Sequence, residues 1–166
     1  MRFNLKLFFF LNLCAFNLMA QNRGDLVLNI ENTTCDKGVI WIGVYDSSDN
    51  FMDQSKAVKV IGLNVDNQQD LSNQFSGIEP TNTIIEAGKK IIQFTISNLL
   101  FKEYAISLFH DEDLDGNLNS NLVGIPTEPY GFSVKPLSKW RMPRYKELSF
   151  NFLNHQQELS IQLERW

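Results

Sequence analysis

The chain has 166 residues, 43% of them hydrophobic and 20% charged, with a formal net charge of −4. This length suits one domain, and the composition holds enough apolar material for one core, which excludes wholesale disorder. The modest acidity disfavours nucleic acid and anionic lipid as partners, because like charges repel.

The first 20 residues read as a targeting segment. Arg2 and Lys6 make a basic start, and an apolar run from Leu7 to Phe16 follows. That run is too short to span a bilayer and matches a signal-peptide core. Ala20 offers a small residue for cleavage before Gln21, although Leu18, three residues upstream of the cut, is larger than usual. Residues 1–20 are therefore expected to be a signal peptide. Residues 21–166 are expected to form one exported domain, periplasmic or extracellular, with no membrane span after cleavage. A lipoprotein would use Cys14, but Leu13 stands where a small residue is wanted. Cleavage leaves Cys35 as the one thiol, so no internal disulfide is expected. A half-buried structural thiol is its ordinary role, with intermolecular pairing or a reactive thiol the alternative.

Leu26, Leu28 and Ile30 alternate with Val27 and Asn29, a period of two that predicts a strand. Val39 to Tyr45 is apolar on both parities, as in a strand covered on both faces. Residues 46–50 are loop. Residues 56–65 have strand composition, with an alternation that shifts near Val60 and Ile61, as at a bulge. Residues 66–77 fit a short helix or an irregular loop. Ile92, Phe94 and Ile96 alternate with polar residues, and so do Tyr104, Ile106 and Leu108. The second of these strands delivers His110 and Asp111 at its end. Leu148, Phe150 and Phe152, then Leu159, Ile161 and Leu163, complete the pattern. The core is expected to hold Phe94, Ile106, Leu108, Phe150 and Ile161. About seven strands, with no convincing amphipathic helix, predict an all-β fold: a single antiparallel β-sandwich, immunoglobulin-like, with one long acidic loop. The stretch 111–145 lacks regular alternation, and a loop of that length in a compact domain is usually functional or specially held.

Asp111, Asp113 and Asp115 stand at alternate positions, followed by Gly116. This is the first half of an EF-hand-like calcium loop, in which a curling turn brings three carboxylates onto one ion. The carbonyl of Asn117 would supply position seven, and Leu118 the apolar position. Leu122 occupies position twelve, where an EF-hand needs a bidentate Glu, so the loop is not one. Asn119, Asn121 or Glu128 are the substitute oxygens available. Two readings without metal compete. Lys135, Lys139, Arg141, Arg144 and Lys146 follow the acidic stretch and could fold over it, or the Asp and Asn side chains simply hold tight turns. His110 shares parity with Ile106 and Leu108, which makes a core histidine its ordinary role. The sequence assembles no zinc set, nucleophile elbow, phosphate loop or dinucleotide fingerprint. Tyr130 and Phe132, with Trp140, place aromatics beside the polar loop. They form either an exposed recognition surface with His110 or, more commonly for such residues, plugs for the open end of the sandwich.

The run from Ala105 to Asp113, then Gly116-Asn117-Leu118, then Gly124-Ile125-Pro126-Thr127-Glu128-Pro129-Tyr130-Gly131-Phe132-Ser133, resembles the bacterial DUF2141 family. The likeness extends from about Leu26 to Leu163 and includes Pro143-Arg144-Tyr145. It departs at Asn119, where the family often has Asp, and at Pro129, where Gly is common. The resemblance implies a secreted or periplasmic β-sandwich like transthyretin or carboxypeptidase regulatory modules, and it names no activity. The leading expectation is an exported binding or accessory module for a protein or small ligand, calcium-stabilised through Asp111, Asp113, Asp115, Asn117 and Asn119, and non-catalytic. A metal-dependent hydrolase using His110 and the loop carboxylates is the alternative from another class. A structural subunit of a cell-envelope assembly is the third.

Overall fold

A computed structural model describes residues 22–32, 37–65, 78–79, 82–86, 89–138 and 140–166. The expected leader, Cys35, the 66–77 stretch and Lys139 lie outside the described residues. Ten strands are described: β1 (Arg23–Glu31), β2 (Val39–Tyr45), β3 (Lys59–Asn64), β4 (Ile78–Glu79), β5 (Asn82–Glu86), β6 (Lys89–Leu100), β7 (Lys102–Asp111), β8 (Tyr130–Phe132), β9 (Phe150–Phe152) and β10 (Gln156–Gln162). The periodic stretches each become a strand. The additions to the expected seven include β4 and β8, which are too short to carry a period-two signal.

The strands form two sheets, and the fold is all-β and sandwich-like. One sheet runs β10-β1-β6-β5. The other runs β4-β3-β2-β7-β8, with β9 also pairing β7. Pairing is mostly antiparallel; β1 with β10 and β3 with β4 are parallel. The inward positions of β1, β2 and β7 meet between the sheets: Leu26, Leu28, Ile30, Ile40, Ile42 and Ile106 are all fully buried. Each such side chain contributes roughly 1.5–3 kcal/mol by leaving water. Leu108 and Ile161 join them, while Phe94 and Phe150 pack against this core partly buried. Among the described residues no helix is long and apolar enough to cross a membrane.

Two local expectations fail. The β2–β3 register runs unbroken from Val39↔Asn64 to Val44↔Lys59, so there is no bulge near Val60. Val60 is an outward residue at 38% exposure, and an apolar residue on an outer face mimics a shift of parity. The register irregularity lies in β1, between Gly24 and Leu26. Leu148 is not on a strand with Phe152 either. It ends a single-turn helix, α1 (Tyr145–Leu148). The Glu147 carboxylate accepts the Arg144 backbone N–H at 3.1 Å, which satisfies a donor at the helix start. Leu148 packs with Tyr45, Ala105 and Tyr145 in a second apolar cluster. Ala105 alternates with the core residues Tyr104 and Ile106, so this cluster covers the outer face of the β7 sheet.

Gly131 allows β8 to approach the end of β10. A Cβ there would lie 2.8 Å from the Gln162 carbonyl oxygen and 2.9 Å from Ile161 Cγ2. Next to it, Tyr130 and Glu164 exchange backbone hydrogen bonds of 3.1 and 2.9 Å, which tie the two sheets at this edge. With Gly131 inward, Tyr130 and Phe132 face outward, half-buried, their rings 5.8 Å apart and edge to face.

Candidate functional site

Strand β7 sends consecutive residues to opposite faces, and this separates His110 from Asp111. His110 follows Ile106 and Leu108 into the interior and is fully buried. Its Nε2 lies 2.7 Å from the Lys37 carbonyl oxygen, which can only accept, so Nε2 carries the proton. Its Nδ1 has no hydrogen-bond partner. Burial pushes the imidazole below its ordinary pKa, against the opposing effect of the Lys37 carbonyl. His110 therefore does not belong to an exposed recognition surface with Tyr130, Phe132 and Trp140, as one sequence reading had it.

Asp111 follows Phe109 onto the outer face and is also fully buried. Its carboxylate accepts three N–H groups: Trp41 Nε1 at 3.1 Å, Asp115 N at 3.2 Å and Gly116 N at 2.9 Å. To deliver the last two, Leu114 adopts φ +66° and Gly116 φ +81°. The left-handed conformation costs a leucine about 1–2 kcal/mol. Two hydrogen bonds to a charged acceptor contribute about 1.5–3 kcal/mol each, so they offset the strain. Glu128, 5% exposed, accepts Glu112 N at 2.9 Å and Asn119 N at 3.0 Å, which clamps both sides of the loop. Each of its two oxygens thus accepts one backbone N–H.

The loop brings Asp111, Asp113 and Asp115 together, with one oxygen of each within 4.8 Å of the others. Oxygens on opposite sides of a calcium ion stand about 5 Å apart, given bonds of about 2.3–2.6 Å, so the cluster has the dimensions of one coordination sphere. Asp113 and Asp115 are exposed and Asp111 is buried. Asn117 and Asn119 hold the same turn. Asn117 N donates to Asp115 Oδ1 at 2.8 Å, and Asn119 Nδ2 donates to Asp113 Oδ2 at 2.8 Å. The three carboxylates could hold a metal ion.

Three described cations of the basic arm pair away from this cluster, against the reading in which the arm folds over the loop and neutralises it. Lys135 pairs with Glu164 at 2.6 Å, Arg141 with Glu147 at 2.5 Å and Lys146 with Glu103 at 2.8 Å. Each has a nearer carboxylate supplied by α1, by β7 or by the C-terminal segment. Arg141, with the Arg144 backbone N–H, holds Glu147 down to about 2. Arg165, from the C-terminal segment, sits 2.5 Å from Glu112 in the acidic loop.

The arm does lie across from the loop, over a cleft of about 710 Å3. Gly116, Leu118 and Val123 form the loop wall, and Pro136, Trp140 and Met142 the arm wall. Phe109, Tyr130 and Phe132 line it from the outer face of β7 and β8. The aromatics predicted at 130, 132 and 140 thus meet in one cleft on an outer sheet face instead of plugging the end of the sandwich. Edge strand β8 puts Tyr130 and Phe132 there, and the arm supplies Trp140. Leu118, at the apolar position of the loop, lines this cleft at 37% exposure. Sequence reasoning missed Phe109, whose parity with Asp111 marks it as outward. It also missed Trp166, whose ring meets Trp140 edge-on at 5.6 Å and for which no local signal exists.

No curated protein and no solved structure matches the chain. A family model described as an uncharacterized protein conserved in bacteria matches residues 28–160, from within β1 to within β10 and across the whole acidic loop. The chain belongs to the DUF2141 family.

Proposed function

We propose that the protein is an exported, non-catalytic binding module whose cleft is walled on one side by a calcium-held loop. The observation that carries this reading is that the segment bearing the Asp cluster, at Asp115 and Gly116, continues directly into the cleft wall at Gly116, Leu118 and Val123. An ion ordering the first part would fix the position of the second. Hard carboxylate oxygens at this spacing suit calcium better than softer metals. Without a bidentate twelfth ligand the affinity belongs in the weak, extracellular range, about 10⁻⁴–10⁻³ M. That range accords with the targeting segment read in residues 1–20.

Three of the groups open to a hydrolase are held in structural contacts. His110 faces the core, while Asp111 and Glu128 are buried acceptors of N–H groups. Thermal melting with and without calcium tests the ion. At a hundred times Kd the stabilisation should be about 2.7 kcal/mol. Asp113→Asn should abolish the response while the protein stays folded without calcium, because Asp113 is exposed. An unchanged wild-type melt in 10 mM calcium would remove the ion from this reading. Mass spectrometry of the mature N-terminus tests export: cleavage after Ala20 supports it, and retention of Met1 refutes it.

A further inference from the structure

We infer that the cleft takes an uncharged, apolar small molecule of lipid-like character, one per protein; this rests on the reading of the cleft as a binding site. Its volume, about 710 Å3, falls in the range of small-molecule sites. Most of the lining is apolar, and several of its polar groups are already engaged inside the protein. Asn117 Nδ2 donates to the Asp115 carbonyl at 3.1 Å, and Ser138 Oγ accepts Trp140 N at 3.3 Å. A saccharide needs many polar partners, and this wall offers few. Among the described residues of the lining Arg141 is the charged one, and two hydrogen bonds, 2.5 and 2.9 Å, bind it to Glu147. A charged ligand would therefore leave water without gaining a free counter-charge. The complementary ligand is neutral.

The lips agree with the floor. Val123 is 78% exposed on the loop side, and Trp140 and Met142 are 88% and 69% exposed on the arm side. Apolar side chains held open on both sides of an apolar cleft mark a site that is covered in use. Met52 and Met142 add unbranched thioethers that adapt to a flexible chain.

The test is equilibrium titration of the full chain with the neutral fluorophore N-phenyl-1-naphthylamine, followed by displacement. Saturable binding of one probe per protein, displaced by hexadecanol, is expected. Trp140→Ala and Val123→Asp should weaken it tenfold or more. Both positions are mostly exposed, so both variants should fold. Leu153→Ala, an equally apolar but remote exposed site, should leave it unchanged. Displacement by oligosaccharide and not by hexadecanol overturns the ligand class while leaving the cleft a binding site. Absence of saturable probe binding overturns the proposal. So does a dimer, seen by sedimentation, that Trp140→Ala dissociates, because a second copy would then be the occupant.

Discussion

Removing the Asp111 carboxylate should damage the fold more than removing either of its acidic neighbours. Asp111 is fully buried and accepts three N–H groups, from Trp41, Asp115 and Gly116. Three bonds to a charged acceptor at about 1.5 kcal/mol each would sum to roughly 4–5 kcal/mol if none were replaced. Water can recover part of this, because Trp41 is only half-buried and the loop N–H groups lie near the surface. Asp111→Ala should therefore cost about 2–4 kcal/mol. Asp111→Asn, which keeps one acceptor oxygen and turns an N–H₂ toward the other donors, should cost about 1–3 kcal/mol. Asp113→Ala, exposed and holding Asn119 at 2.8 Å, should cost about 0.5 kcal/mol or less. Urea unfolding of the three variants in a chelator measures these differences without contribution from any ion. A loss below about 1 kcal/mol for Asp111→Ala, or one equal to that of Asp113→Ala, would refute the structural role assigned to Asp111.

Burial depresses the His110 pKa, so the unfolded chain takes up its proton first as pH falls through about 6.5. Stability from neutral His110 is thus complete above that value and declines as pH falls from about 6.5 toward 5; His110→Gln should flatten this part of a denaturation–pH profile. Glu147 should titrate by NMR near about 2, held down first by Arg141, and Arg141→Ala should raise its midpoint toward the ordinary carboxylate range. The stability that this contact contributes is present above the ordinary value and is lost as pH falls toward about 2. Gly131→Ala should lower stability by about 1–3 kcal/mol in urea unfolding, because its Cβ would press on the Gln162 backbone and Ile161. Ile106→Ala should cost about 2–5 kcal/mol in the same assay, as a fully buried core residue.

Alternation made the main strands legible. Leu26, Leu28 and Ile30, and again Ile106 and Leu108, face the core as a period of two requires. Short elements were not legible. Tyr130, Gly131 and Phe132 form a strand because β7 and the Glu164 backbone pair with them, and three residues hold no period. Leu148 looked like a strand residue because its spacing to Phe150 and Phe152 is two, while the Glu147 cap turned the chain into a helix instead. The Asp cluster was legible from local spacing. The partners of the arm cations were not, because Glu103, Glu147 and Glu164 reach them only through the fold. Likewise the cleft is made by residues far apart in sequence, such as Phe109, Trp140 and Trp166, and no local pattern announces it.

The central claim, that an ion in the acidic loop fixes one wall of the cleft, is met most directly by amide NMR of the ¹⁵N-labelled protein as calcium is added. The account predicts saturable shifts at Asp113, Asp115, Gly116 and Asn117 that continue into Leu118 and Val123, with a midpoint of about 10⁻⁴–10⁻³ M. A spectrum unchanged at 10 mM calcium would contradict it, and so would shifts scattered over other acidic residues with none in residues 111–123.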